Sequence, residues 1–462
     1  MFLYIGPMEH EVPAQWLASS IRDRSAQGIA SEVAQLINSG ELRPGTRLPS
    51  VRDLAAHLRV SPATVSSAWG TLKQFGSVEG RGRAGTTVLG PQTPHPRRYG
   101  SEGAFDVTAR LELGLSVPDP ALLPDVAAYL RPRDVPDLHE YRRIAIHEPL
   151  ERAAREHWPY PGEAFAALSS GYEGLLMSLR TFVRPGDNVV VEEPSPPRIL
   201  DSLEHVGCRP VFVGRDDEGI RLDDLEQALA RKPTVLVLQP GIHNPDGSAM
   251  SAQRADDIAD MLRDSDLITV EDDGIGFLST EPPESLAQRR RDRRHVFVRS
   301  FSKSHGPDLR LAIIEGGELE VEQISSYWEF GARWASRLLQ DALARMLEDP
   351  AAWHTVEAAR SEYHQRREAF LDRYALREAV SGRGLLDVWL QVPNERRAVV
   401  TLAAHGVPSL GAHLFYASRP PDRIRMSTSR LTEEAWPVLD RVMPAVSMPH
   451  LRQPGRLATH QP

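Results

Sequence analysis

The run Ser300-Phe-Ser-Lys-Ser-His-Gly-Pro-Asp-Leu-Arg310 concentrates more chemistry than any other stretch of this chain. It follows an apolar, strand-like segment, His295 to Arg299. One lysine, Lys303, stands among the hydroxyls of Ser300, Ser302 and Ser304, ahead of Arg310. A lysine amine condenses with an aldehyde to an imine, while hydroxyls and a guanidinium hold phosphate through charge and hydrogen bonds. The run is therefore suited to an aldehyde that also carries a phosphate.

Other residues upstream and downstream fit the same ligand. Asp272 and Asp273 end the apolar run Leu267 to Glu271, and a carboxylate at the C-terminal end of a parallel strand faces a ligand crevice. Either could hold a proton on a ring nitrogen, and Asp272 is favoured. Asn244, in Gln239-Pro-Gly-Ile-His-Asn-Pro-Asp-Gly247, can donate to a phenolic oxygen. Asn-Pro and Asp-Gly are also ordinary turn formers, so the segment gains meaning only beside the others. His243 reads as structural or a minor contact. Gly171, Tyr172 and Glu173 open a helix after Ser170, and the free N–H groups there suit phosphate. Arg425 can grip a carboxylate with both its Nη atoms, with Arg423 and Arg430 as rivals. An imine lysine, a ring-nitrogen acid, a phenolic-oxygen donor and a phosphate cup are the four demands of pyridoxal 5'-phosphate.

These residues need a scaffold, and the sequence supplies an α/β one. Strands are expected at 188–192, 210–213, 234–238, 267–271, 296–298 and 311–314, with helices at 171–183, 222–231 and 251–263. Alternating elements with near-continuous apolar strands imply a mostly parallel sheet covered by helices. This body spans 105–446, with a large part at about 105–320 and a smaller α+β part at about 355–446. A disordered tail is expected over 447–462.

The first residues read differently. Residues 26–39 form an amphipathic helix with Ile29, Val33, Leu36 and Ile37 on one face. Ser50 caps a second helix, 51–58, and Ser61 caps a third, 62–75, with Pro62 at its first position. Two helices joined by a tight turn, the second bearing small polar residues, follow helix-turn-helix logic. Arg81 and Arg83 sit at the tip of a hairpin wing. The DNA-binding domain is expected over 17–89, with Trp16 packing on it. A linker rich in Pro, Gly and charge follows over 90–104, reaching ~40 Å if extended.

Charge agrees with this division. The chain carries −9 overall. Residues 17–90 hold nine basic and five acidic side chains, a net of +4 that leaves −13 for the rest. A basic module on an acidic body fits a protein whose DNA phosphate contacts are local. At 462 residues, with 41% hydrophobic and 25% charged residues, two or three domains are expected. No apolar run is long enough to span a bilayer, and Met1 to Met8 lacks the basic start of a signal peptide. The single cysteine, Cys208, permits no intrachain disulfide, so a cytoplasmic location is expected, and the residue itself reads as a small buried hydrophobe.

Glu41-Leu-Arg-Pro-Gly-Thr-Arg-Leu-Pro-Ser-Val-Arg-Asp-Leu-Ala55, with Val60-Ser61 and Thr64-Val65, resembles the winged helix-turn-helix of GntR-type regulators. That resemblance implies Arg52 reading a base edge and Arg47 touching phosphate. Ser61, Thr64 and Ser66 would reach DNA from the recognition helix, and Arg81 and Arg83 would lie near the minor groove. Pro62 stands where many members carry a basic residue. The order Gly171, Asn244, Asp272, Lys303, Arg310, Arg425 resembles fold-type-I pyridoxal phosphate enzymes of the aspartate aminotransferase family. Together the halves resemble MocR-type transcriptional regulators. The resemblance implies a DNA-binding regulator that senses pyridoxal phosphate, an amino compound, or both, as a head-to-tail, domain-swapped homodimer. The alternatives are an aminotransferase with an appended DNA-binding domain, or a regulator that has lost the coenzyme. Two departures bear on turnover more than on anchoring. Gly274 and Pro196 stand where the aminotransferase family has tyrosines, and a lost stacking platform removes ~1 kcal/mol.

Overall fold

The computed structural model describes residues 12–447, except 39–40, 44, 75–77, 81–84, 89–97, 99–110, 132–134, 136–137 and 291–293. The chain divides into two units, residues 1–97 and 98–462.

In the first unit α1 (Ala14–Ser20), α2 (Ala26–Asn38), α3 (Val51–Leu58) and α4 (Pro62–Gln74) accompany β1 (Arg47–Leu48), β2 (Val78–Gly80) and β3 (Thr86–Val88). The apolar spacing of α2 buries Ile29, Val33 and Ile37 against Leu54, Leu58, Val65 and Trp69. Ser50 Oγ accepts from the Asp53 N–H at 3.1 Å and caps α3, a contact worth ~1 kcal/mol. Arg59, at φ 58°, turns the chain between α3 and α4. The wing pair β2–β3 is antiparallel, and β1 adds to β3 as a third strand. A two-residue strand has no periodicity to read, so β1 was not expected. Nor was α1: Leu17 is the residue buried there, and Trp16 is exposed.

The second unit is built on an eight-stranded sheet of β4 (Ala164–Leu168), β5 (Asn188–Glu193), β6 (Arg209–Asp216), β7 (Gly219–Ile220), β8 (Val235–Leu238), β9 (Ile268–Asp273), β10 (His295–Ser300) and β11 (Ala312–Gly316). Their order is β4-β11-β10-β9-β8-β5-β6-β7. Pairings from β10 through β6 are parallel, whereas β11 runs antiparallel to both β10 and β4. Alternate strand residues feed two cores. Val189, Val191, Val235 and Val237 enter one with the helix Gly171–Phe182. Val190, Leu236 and Leu238 enter the other with the helices Leu222–Leu229 and Ala252–Met261. Burial on both faces is why these strands lack polar alternation. The C-terminal ends of β5, β8, β9 and β10 lie side by side, and the chemistry-bearing segments leave from them.

The smaller part holds the antiparallel sheet β12 (Val380–Ser381), β13 (Asp387–Gln391), β15 (Arg423–Ser427) and β14 (Leu410–Gly411), with the helices Glu395–Ala404 and Trp436–Val446. The 25-residue helix Pro350–Tyr374 leads into it. Its core includes Leu113, and Ser427 N donates to the Leu113 carbonyl at 2.7 Å. The segment after residue 110 thus packs with the small part, not with the large part where the sequence placed it. Arg98, inside the expected linker, is also held. Its N–H donates to Asp201 Oδ1 at 3.2 Å and its Nη1 to Glu204 Oε1 at 2.6 Å, both on the helix Pro197–Val206. The rest of the expected linker and the 448–462 stretch of the expected tail lie outside the described residues. Among the described residues no helix is long and apolar enough to cross a membrane.

Candidate functional site

A cleft of about 260 Å³ opens where the strand ends converge. It is lined by Lys303, Asp272, Asn244, Gly171, Tyr172, Ser300, Ser302, Arg310 and Arg425, all singled out from sequence.

Asp272 and Asp273 are neighbours on one strand, so their side chains leave opposite faces. Asp272 enters the cleft, whereas Asp273 turns to Arg299 Nε at 2.7 Å and accepts from the Gly276 N–H at 3.0 Å. Burial raises the Asp272 carboxyl to about 6, against the hydrogen bond from Gln239 and the charge of Lys303. Asn244 Oδ1 accepts from Arg425 Nη1 at 3.0 Å, which leaves its Nδ2 as the donating end. Arg425 is 2% exposed, and its Nη2 donates to the Gly114 carbonyl at 2.9 Å. Its rivals do not line the cleft. Arg423 binds Ser381 Oγ at 2.7 Å, and Arg430 binds the Pro118 carbonyl at 3.0 Å.

The anion cup has three sides. Ser170 Oγ accepts from the Glu173 N–H at 3.1 Å and caps the helix Gly171–Phe182, whose first residues Gly171 and Tyr172 line the cleft. Ser300 Oγ and Ser302 Oγ lie 3.0 Å apart. Arg310 adopts φ 49° after a short 3₁₀ turn and lines the same wall. Gly171 is needed for close approach, since a Cβ there would stand 3.1 Å from Ser300 Cβ. Glu173 does not line the cleft. Its carboxylate accepts from Ser169 N and Trp328 Nε1, each at 2.9 Å, and so anchors the helix start.

Among the lining residues that escaped sequence reasoning are Gln239, Arg198 and Ile242. Gln239 donates from Nε2 to Asp272 Oδ2 at 2.7 Å. Arg198 places its guanidinium 4.3 Å from the centroid of Tyr172, a stacked cation–π pair. Ile242 adds an apolar wall. No local motif marks them, because their partners are distant in sequence. Gly274 lines the cleft beside the Asp272 carboxylate, and Pro196 caps the helix Pro197–Val206 outside it. His243 is buried between Asp246 Oδ1 at 3.1 Å and Glu192 Oε2 at 3.7 Å, away from the cleft. Cys208 is half-buried, and burial pushes its thiol up to about 11.

In the first unit Arg52 and Ser66 are exposed on α3 and α4. Ser61 Oγ and Thr64 Oγ1 lie 2.8 Å apart, and Ser61 also accepts from the Thr64 N–H. Arg47 lies against the wing, where a Cβ on Gly85 would stand 2.8 Å from its Nε. Arg81 and Arg83 lie outside the described residues.

Comparison with known proteins agrees with this layout. Residues 25–88 match the family of bacterial regulatory proteins of the gntR type, and residues 111–435 match aminotransferase class I and II. The chain is 30% identical over 421 residues to the vitamin B6 salvage pathway transcriptional repressor PtsJ of Salmonella typhimurium, covering 89% of this chain and 96% of that one. It is 25% identical to the bovine mitochondrial kynurenine/alpha-aminoadipate aminotransferase, over 47% of this chain and 55% of that one. In structure it is similar to the Pyrococcus horikoshii kynurenine aminotransferase, with a TM-score of 0.64 at 19% identity, covering 74% and 91% of the two chains. The Thermus thermophilus alpha-aminoadipate aminotransferase LysN gives 0.63 at 21%, covering 72% and 93%. The chain belongs to the MocR-type transcriptional regulators, which join a GntR-type winged helix-turn-helix to an aminotransferase class I and II domain.

Proposed function

We propose that this regulator takes pyridoxal phosphate into the cleft, alone or with an amino compound, and that occupancy alters how its heads engage an operator as a homodimer. The observation that carries this reading is the convergence of a lysine, a buried carboxylate and an anion cup in one cleft. When bound, the coenzyme supplies an electrophilic carbonyl and an electron-withdrawing ring. Lys303 offers its amine to that carbonyl. Asp272 holds a proton at the ring nitrogen, and Asn244 Nδ2 donates to the phenolic oxygen. Ser300, Ser302, Arg310 and the N–H groups of Gly171 and Tyr172 receive the phosphate. Arg425 takes the carboxylate of an amino compound. PtsJ is named a repressor of vitamin B6 salvage, which supports a B6 vitamer as what is sensed here. On DNA, Arg52 reads a base edge, and Arg47, Ser61, Thr64, Ser66, Arg81 and Arg83 contact backbone or groove.

The test is the visible spectrum of the purified protein after addition of pyridoxal phosphate, desalting and borohydride treatment. A yellow band that borohydride removes, absent from Lys303→Ala, is expected. Colourless wild-type protein overturns the coenzyme reading. Operator binding by fluorescence anisotropy completes it. Binding should weaken steeply with salt, shift when the coenzyme is added, and lose ~1–3 kcal/mol in Arg52→Ala.

A second reading, turnover as an aminotransferase, is favoured by Arg425 and Lys303 sharing one cleft. It requires amino-group transfer from an amine panel to a keto acid, abolished in Lys303→Ala. No transfer with any donor removes it.

A further inference from the structure

Gln239 follows β8 and is 6% exposed. Three hydrogen bonds fix it. Its N–H donates to Glu192 Oε2 at 2.7 Å, and Glu192 is itself paired with the buried Arg215. Its Oε1 accepts from the Asn244 N–H at 3.1 Å. Its Nε2 faces Asp272 Oδ2 at 2.7 Å. A primary amide has one accepting end and one donating end. A backbone N–H only donates, so Oε1 must face Asn244 and Nε2 must face the carboxylate. The orientation of the amide is therefore dictated by its surroundings. Beyond Asn244 stands Arg425, bonded to the Asn244 Oδ1. One amide thus links the buried acid to the Asn244 loop, which in turn meets Arg425 of β15.

We propose that Gln239 is a positioning residue: it holds the Asp272 carboxylate ionised and aimed into the cleft, and it locks that acid to the Asn244 loop. The proposal deepens the coenzyme reading, since Asp272 is the ring-nitrogen acid of that reading. The groups that bear on Asp272 are Gln239, which donates to it, Lys303 and, from outside the cleft, His243, which favour the carboxylate, and its chain neighbour Asp273, which opposes it. Burial is the dominant influence and favours the neutral acid. Removing the amide donor leaves burial less opposed and moves the carboxyl further up.

The first experiment needs no coenzyme. Urea unfolding is followed against pH for wild type, Gln239→Leu, Asp272→Asn and the double variant. The loss of a donor to a carboxylate is felt only where that carboxylate is charged in the wild-type fold, above about 6. Gln239→Leu should therefore shift the unfolding constant about tenfold further at pH ~8 than at pH ~5, one pH unit of acid stabilisation. In the Asp272→Asn background that pH dependence should vanish. An equal loss at both pH values, or one that persists without the acid, means that Gln239 only props the loop and overturns the proposal. The second experiment titrates pyridoxal phosphate into wild type and Gln239→Leu across pH. The acid limb of affinity should move up by about one unit in the variant. An unmoved limb also overturns the proposal. If wild type takes up no coenzyme while the urea cycle shows the coupling, the coenzyme reading falls and the role of Gln239 stands.

Discussion

Asp272 is an acid whose burial outweighs the groups that favour its charged form. Burial sets its folded carboxyl at about 6, against 3.8 when unfolded. A raised folded value means that the protonated fold is favoured, so stability is full below about 4 and is lost as pH rises through about 6. A shift of about two units corresponds to ~3 kcal/mol. Asp272→Asn, which can still accept from Gln239, should then make the ligand-free protein more stable at neutral pH by a value approaching that figure. The gain should vanish near pH 4, and denaturant titration at a series of pH values checks both. The residues with strong local context, Lys303 and Asp272, were legible in the sequence because each follows an apolar strand. Gln239 and Arg198 were not, because each acquires its role from a partner more than twenty residues away. Glu173 was misread. Its place at the helix start was correct, but capping and Trp328 use its groups.

At the scale of elements, the helix Gly171–Phe182 brings its first residues to the cleft because it lies close on β10 and β11. Gly174 makes that approach possible, since a Cβ there would stand 2.8 Å from Val298 Cγ1 and 3.2 Å from Ile314 Cγ2. Two effects compete in Gly174→Ala. Alanine gains ~1 kcal/mol of helix propensity, while overpacking against branched core side chains costs ~1–3 kcal/mol. Both neighbours are fully buried, so overpacking should win. A net loss of ~1–2 kcal/mol in urea unfolding is expected, with weaker binding of inorganic phosphate as the helix start is pushed off the sheet. The six expected strands were legible from apolar runs bounded by turns. The antiparallel direction of β11 was not, because a strand buried on both faces reads alike in either direction. The strands of the small part were missed for another reason: short strands mixed with arginines, as in Arg423–Ser427, look like polar surface until the sheet pairs them.

At the scale of the molecule, a basic head and an acidic body each match a known family over its own stretch of chain. The charge contrast was readable from sequence, and so was the division into head and body. The place where the connecting segment first meets the body was not. Composition made 90–104 a single linker, but Arg98 is bound to Asp201 and Glu204. Those partners lie on the helix that carries Arg198 into the cleft.

That anchor fixes how many residues separate the head from its first described contact with the body. From Val88, the last residue of the wing, to Arg98 there are ten residues, which reach at most ~35 Å. If Arg98 were released, the next described attachment is Leu111, whose N–H donates to the Gly406 carbonyl, and the number of intervening residues would more than double. Local concentration of a tethered head falls roughly as the −3/2 power of tether length, about threefold here. Arg98→Glu should therefore weaken binding to DNA carrying two half-sites by about that factor and leave binding to a single half-site unchanged, as anisotropy on the two duplexes would register. In the proposed dimer, Asp201 and Glu204 on one helix would then govern how tightly a paired operator is held.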